Sequence, residues 1–451
     1  MAFELTKEFL AAIEDAIGQA DKSRIRELTE SLHPADIAEI VEELDVQEAK
    51  FLYQSLEKEL AAEVIIEMDE AEKEDFLDQF TSREIAEDVI DNLESDDAAD
   101  LMALLPEEKK QEVLTHMEDV EQASDIVHLM GYDEDTAGGL MAKELVMARE
   151  SWDIETCVAE MRRQAKEVDD VYAVYVVDDQ DRLLGLLSLR DMIIRPSITK
   201  VADACNREII SVSAETKAEE VANIMKKYDL VVLPVVNDQQ QLIGRITIDD
   251  VVDVMQEEAE KDYQLASGIS GNVDQRDKAW MLWQARLPWL LIGLVGELVS
   301  AKVIGAHESQ LQINPQLAFF IPLIAAMGGN AGVQSSAIIV QGLANKSLQF
   351  ISLFGKLSKE LIVALVNGFF CSAILLIYNY LFTEDLTLSL TVGIALIAVI
   401  IMASIMGTLV PLILHKYKVD PALATGPFIT TTNDVMGMLV YFSIGHLMYS
   451  L

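Results

Sequence analysis

Asp434 follows the polar run Gly426-Pro427-Phe428-Ile429-Thr430-Thr431-Thr432-Asn433, and eleven mostly apolar residues separate it from His446. An ionisable side chain deep in an apolar stretch is costly in lipid and marks an ion path, unless it only hydrogen-bonds a neighbouring helix. Pro427 lacks a backbone donor and Gly426 permits a bend, so carbonyls beside a break there are open to an ion or to water. A second run, Met327-Gly328-Gly329-Asn330-Ala331-Gly332-Val333-Gln334-Ser335-Ser336, mixes small and amide residues. Its glycines suit close helix packing at least as well as ion contact. Asn330 and Gln334, with Thr431 and Asn433, are candidates to line a wet path. Glu297, inside the first expected span, is the other acid expected to be buried, and it reads either as a path residue or as a group at the aqueous edge.

The elements that must carry these residues follow from charge and hydropathy. The 451 residues exceed one core and suggest two to four domains. The net charge of −42 coexists with 51% hydrophobic residues. All of that charge lies in residues 1–278, whereas 279–451 hold seven acids and seven bases. A simple soluble protein, a nucleic-acid binder and a disordered acidic chain are therefore excluded. Five spans are expected, near 287–305, 316–343, 361–382, 388–414 and 422–450. Arg276, Lys278, Arg286, Lys346, Lys356, Lys359, Lys416 and Lys418 alternate with loops holding Lys302, Glu308, Glu384 and Asp385. The positive-inside rule then predicts a multi-pass plasma-membrane protein with a cytoplasmic N-terminus and an extracellular C-terminus. The start, Met1-Ala2-Phe3-Glu4-Leu5, resembles no signal peptide. Cys157, Cys205 and Cys371 are too scattered for a disulfide framework or a zinc site.

The acidic half carries two periodicities. Asp170–Asp178 with Leu183–Asp191, and Tyr228–Val236 with Leu242–Asp250, repeat one pattern: a β-branched strand, a polar turn, a strand with an early Gly, and a Ser/Thr-x-x-Asp helix start. Upstream, Ala38-Glu39, Ala62-Glu63 and Ala86-Glu87 recur every 24 residues, as in a small solenoid of short helices. Asp96 and Asp100 fall one turn apart on a helix start, where capping alone would explain Asp96. Residues 249–276 read as one long helix whose first part, 249–262, holds Asp249, Asp250, Asp253, Glu257, Glu258, Glu260 and Asp262 opposed only by Lys261. Oxygen donors without His or Cys clusters favour a hard cation, Mg²⁺ or Ca²⁺, and Mg²⁺ keeps its water shell and needs few protein ligands.

The duplicated pattern resembles a pair of CBS modules, which bind adenosine nucleotides or ions and regulate an attached partner. The whole layout, with Thr136-Ala137-Gly138-Gly139-Leu140-Met141, Gly328-Gly329-Asn330 and Gly426-Pro427-Phe428, is similar to the MgtE family of magnesium channels. This resemblance implies a multidomain membrane protein: an α-helical solenoid-like N domain (1–135), α/β CBS modules (136–198 and 199–256), a connecting helix (249–278) and a five-helix transmembrane domain (279–451). It implies a homodimer in a lipid bilayer, with Asp434 holding hydrated Mg²⁺ in the pore and Asp420 at the cytoplasmic mouth. It places cytosolic Mg²⁺ sensing at Asp96, Asp100, Glu63, Gly138, Glu219, Asp229, Asp250, Asp253, Glu258 and Asp262, with closure at high internal Mg²⁺. ATP at the CBS modules is implied by resemblance alone. Lys217 and Lys261 depart from the pattern, falling where acids are common.

Other classes fit less well. No G-x-x-x-x-G-K-[ST], H-E-x-x-H or G-x-S-x-G occurs, and an intramembrane aspartyl protease would need a second Asp, so an enzyme is not expected. A CBS-regulated secondary transporter for divalent cations, with Glu297 as the coupling carboxylate, is the main alternative. A nucleotide sensor with a passive anchor leaves Asp434 unexplained.

Overall fold

The computed structural model describes residues 3–450 apart from 166, 167, 169, 272, 274–276, 345–351, 383, 384 and 425. Arg276, Lys346 and Glu384, used above to orient the spans, lie outside the described residues. The chain forms two compact units, Met1–Gln256 and Glu257–Leu451.

The first unit opens with ten short helices: α1 (Lys7–Gly18), α2 (Lys22–Thr29), α3 (Pro34–Glu43), α4 (Val46–Tyr53), α5 (Lys58–Ile66), α6 (Glu70–Leu77), α7 (Ser82–Asp88), α8 (Ser95–Leu104), α9 (Glu107–His116) and α10 (Val120–Leu129). Helices this short are marginal alone and persist by packing. The 24-residue period is the start-to-start spacing of α3, α5 and α7, and it buries Ala38, Ala62 and Ala86 in one continuous core. Lysines strap successive turns of the stack: Lys22 Nζ donates to the Gln54 carbonyl at 3.1 Å and Lys58 Nζ to that of Glu87 at 3.1 Å.

Two matched α/β modules follow. Strands β1 (Met147–Arg149), β2 (Ala173–Val177) and β3 (Leu183–Ser188) form one sheet, with α11 (Ile154–Gln164) before β2 and α12 (Leu189–Ile194) after β3. After α13 (Val201–Ala204), strands β4 (Val212–Ser213), β5 (Val232–Val236) and β6 (Leu242–Thr247) form the other, with α14 (Ala218–Tyr228) between β4 and β5. In both sheets the first pair is parallel and the second antiparallel, and Gly185 and Gly244 oppose Val176 and Val235 at the same register position. The segments ahead of the strands are exchanged. Ala142 exchanges backbone hydrogen bonds with Arg245 of the second module, and Leu186 of the first exchanges them with Asn206.

Helix α15 (Ile248–Ala266) is 19 residues long, shorter than the expected 249–276. Ile269 N donates to the Gln264 carbonyl and Gly268 N to that of Leu265, the paired bonds that close a helix when a glycine takes positive φ; Gly268 has φ +76. The Ser267-Gly268-Ile269 signal was in the sequence, masked by the acidic run ahead of it.

The second unit contains α16 (Ala279–Ala306), α17 (Glu308–Ile313), α18 (Ile321–Ala344), α19 (Leu353–Phe382), α20 (Leu386–Lys416) and α21 (Gly426–Ser450). Among the described residues, four segments are long and apolar enough to cross a membrane: Ala279–Ala306, Pro315–Ala344, Leu353–Phe382 and Leu386–Lys416. Helix α21, at the fifth expected span, has 25 residues, and its polar run keeps it outside that group. Helix α20 is the centre of the bundle and buries Val392, Ala395, Leu396, Val399 and Ala403, while α16 and α19 turn Leu290, Leu291, Val295, Phe369 and Phe370 outward. Two expectations are corrected. The third span starts at Leu353, so Lys356 and Lys359 sit on the membrane helix rather than ahead of it. Pro427 does not break a helix: a short 3₁₀ turn, Pro421–Ala424, precedes α21, and Pro427 occupies its first turn, where a missing N–H costs nothing.

Candidate functional site

In the first unit, the start of α8 and the start of α15 bring acids together. Ser95 is buried, its Oγ donates to Glu144 Oε2 at 2.7 Å and accepts from Lys143 N at 2.9 Å, which seats α8 against the segment leading into β1. Thr247 N and Oγ1 donate to Asp250 Oδ2 at 3.2 and 2.6 Å, so Asp250 caps its own helix as the Thr-x-x-Asp pattern predicts. Glu94, Asp96 and Glu144 carry carboxylate oxygens within 4.8 Å of one another. Arg245 Nη2 meets both oxygens of Glu94 at 2.8 and 2.7 Å.

Electrostatics mark this cluster as strained by its own charge. Burial, then the neighbouring Asp97 and Asp250, pushes Asp96 well above the usual carboxylate range. Burial, then Asp250 and Asp100, pushes Asp97 up to about 7. Desolvation also raises Asp250, and desolvation followed by Asp249 raises Asp253. Like-charged carboxylates held this close invite a divalent cation. A second trio, Glu42, Asp69 and Glu72, also has carboxylate oxygens within 4.8 Å of one another.

Of the sequence-derived candidates in this unit, Asp96 and Asp250 join the cluster, Asp100 flanks it, and Asp253 stands one turn along α15. Asp97, Glu94, Glu144 and Arg245 were missed, because only the fold brings residues 94–97, 144 and 245–250 together. Glu63 is exposed on α5. Gly138 is buried against the Tyr132 ring, and its N–H donates to the Ala214 carbonyl at 2.9 Å. Glu219 is exposed in the first turn of α14, and Asp229 ends that helix at φ +51. Lys217 pairs with Asp135 at 3.3 Å on the surface. In the second unit Glu258 pairs with Lys261 at 2.8 Å and Asp262 is exposed.

In the membrane unit, α16, α18 and α21 meet around Asp434. Asp434 is 9% exposed, and its carboxyl is within hydrogen-bonding reach of that of Glu297 on α16. Gly329 of α18 faces Thr430 and the Asp434 carboxyl, while Gly332 leaves no room for a Cβ beside Asn433. The Thr430 and Thr431 hydroxyls donate to the Gly426 and Pro427 carbonyls at 3.0 and 2.7 Å, so those carbonyls near the α21 start are engaged rather than free. Asn433 is fully buried, and neither polar atom of its side chain has a hydrogen-bond partner among the described residues. Asp420 accepts from Ala422 N at 2.8 Å and is exposed. Asn330 and Gln334 do not turn toward Asp434: both line a separate groove with α19.

A helical acidic domain, two matched α/β modules and a bundle of apolar helices around a buried acid define a membrane transport protein with attached regulatory modules. Family models match in the same order: the MgtE intracellular N domain at 32–135, CBS domains at 137–196 and 201–257, and the MgtE divalent cation transporter domain at 321–444. The chain is 32% identical over 451 residues to the magnesium transporter MgtE of Thermus thermophilus, covering 98% of this chain and 99% of that one. It is 33% identical over 331 residues to MgtE of Bacillus subtilis, covering 73% of each. Among solved structures, the cytosolic domain of the Mg²⁺ channel MgtE in complex with ATP is 34% identical, with TM-score 0.51, over 54% of this chain and 99% of that one. The soluble part of a magnesium transporter is 29% identical, with TM-score 0.52, over 56% and 99%. The chain belongs to the MgtE family of magnesium transporters. It is a transport protein, not an enzyme, and its N domain is intracellular.

Proposed function

We propose that the protein is a Mg²⁺-selective channel for magnesium uptake, closed when cytosolic Mg²⁺ rises. The observation that carries this reading is Asp434, buried where three membrane helices meet and set beside a second carboxyl, Glu297. Carboxyls at that depth are tolerated when they face a wet ion path. Helix α21 acts as the fifth span, which puts the C-terminus outside, and two copies share the pore. Asp434, Glu297, Thr431 and Asn433 line it and Asp420 stands at its mouth, whereas Asn330 and Gln334 are assigned elsewhere.

Gating rests on the cytosolic acids. Like charges about 5 Å apart repel by roughly 3 kcal/mol at an effective dielectric of about 20. Asp96, Asp97, Asp250 and Asp253, with Asp100, Glu63, Gly138, Glu219, Asp229, Glu258 and Asp262 as further ligands, hold the cations that reverse this repulsion. Moving a 1:99 equilibrium to 99:1 takes about 5.5 kcal/mol, within reach of a few such pairs. Helix α15 carries the change along the chain toward the membrane unit. ATP at the paired modules is carried over from the relative solved with it. The cleft lined by Asp170, Tyr172, Tyr175, Val232 and Arg245 has about 10 Å³ of free space, so nucleotide entry there requires the modules to part.

The test is divalent flux into liposomes for wild type and Asp434→Asn at varied internal Mg²⁺. Lost flux with unchanged assembly supports the pore, and unchanged flux removes it. The Glu297–Asp434 juxtaposition also supports a second reading, a secondary transporter using Glu297 to couple Mg²⁺ to H⁺ or Na⁺. Single-channel currents above a carrier's turnover exclude it.

A further inference from the structure

Helices α18, α19 and α20 line a groove of about 550 Å³, open on the side where Ile338 and Phe370 turn outward, that Asp434 and Glu297 do not line; its volume is typical of a small-ligand site. Most of its wall is apolar, including Ile338, Val363 and Phe370. Lys356 and Lys359, one turn apart at the start of α19, also line it. Among the described residues neither lysine forms an ion pair. Glu360 also lines the groove, and its carboxylate accepts from Ser335 Oγ at 2.5 Å, so the one acid of the lining is engaged by α18 while two cations stand at the rim. With the start of α19 on the cytoplasmic side, as the positive-inside rule reads it, the cationic rim stands at the inner headgroup level and the apolar wall at acyl depth.

We propose that this groove binds an anionic glycerophospholipid of the cytoplasmic leaflet, its phosphate held by Lys356 and Lys359 and an acyl chain lying along Ile338, Val363 and Phe370. Charge complementarity selects the head, since basic pockets between membrane helices on this side attract anionic headgroups. The apolar wall selects a lipid over free phosphate, which would gain nothing from Val363 or Phe370. Asn330 and Gln334 supply amide donors and acceptors for the glycerol and headgroup oxygens.

The test uses the delipidated full-length protein and native mass spectrometry with added phosphatidylglycerol or phosphatidylcholine. Wild type is expected to retain phosphatidylglycerol about tenfold better. Lys356→Gln with Lys359→Gln should erase that preference, Lys356→Arg with Lys359→Arg should keep it, and Val363→Trp should lower retention of both lipids by filling the slot. Equal retention of the two lipids by wild type, an unchanged preference in the double Gln variant, or displacement of the lipid by millimolar inorganic phosphate would overturn the proposal. So would disulfide formation between two copies through Ile338→Cys at full yield in lipid, which would assign the groove to a second copy.

Discussion

Arg245 and Glu94, 151 positions apart, form an ion pair in which Nη2 donates to both carboxylate oxygens and the side chains are 5% and 17% exposed. Arg245 Nη1 also donates to the Asp170 carbonyl at 2.8 Å. The guanidinium thus ties the N domain to both modules at the edge of the acidic cluster, as a fixed cation that no change in Mg²⁺ removes. Replacing it with Met keeps the volume and removes the charge. Taking one partner from a buried pair costs about 3 kcal/mol. Arg245→Met should lower the melting temperature of the unit Met1–Gln256 in EDTA by roughly 10 °C, and excess Mg²⁺ should restore part of it. An unchanged melting point would show that the pair contributes nothing net.

Asp97, with its pKa near 7, makes the metal-free state sensitive to pH. The folded chain keeps a proton that the unfolded chain, with Asp near 3.8, has released. Stability therefore grows as pH falls from above about 7 toward the unfolded value, and is lost as pH rises through about 7. In EDTA the melting temperature of the first unit should rise between pH 8 and pH 6. Asp97→Asn should raise it at pH 8 and flatten the slope; a steeper slope in that variant would contradict the assignment.

Glu297 and Asp434 should not be equivalent. If Glu297 lines the path beside Asp434, Glu297→Gln should cut Mg²⁺ flux by about tenfold or more, an interaction worth roughly 1.4 kcal/mol, without changing assembly. Liposome flux with a pH gradient separates the readings. A loss that follows the gradient points to coupling, whereas a loss independent of it points to a permeation role.

Gly268 closes α15 at positive φ, and a Cβ there would meet the Pro427 ring at the start of α21. Trp289 Nε1 on α16 donates to Ser270 Oγ at 2.7 Å, so the chain after α15 is docked onto α16 and the start of α21. Gly268→Ala should cost roughly 1–2 kcal/mol from the left-handed backbone alone and shift the Mg²⁺ concentration that halves the flux. A variant with wild-type dependence on Mg²⁺ would show that this docking carries no gating signal.

Hydrophobic periodicity and backbone propensity act over a few residues, and what they control could be read directly from the chain. The 24-residue stack, the duplicated modules with their Ser188–Asp191 and Thr247–Asp250 caps, the apolar helices and the buried Asp434 belong there. The helix end at Gly268 was equally local, but hidden behind a long acidic run. Which charges face one another is set by contacts 50 to 150 positions apart, and no local pattern encodes them. Tertiary structure alone placed Asp97 opposite Asp250 and Arg245 on Glu94. It also put Glu297 beside Asp434 and turned Asn330 and Gln334 toward α19. Side-chain direction around a helix follows from packing partners, and those exist only once the bundle has formed.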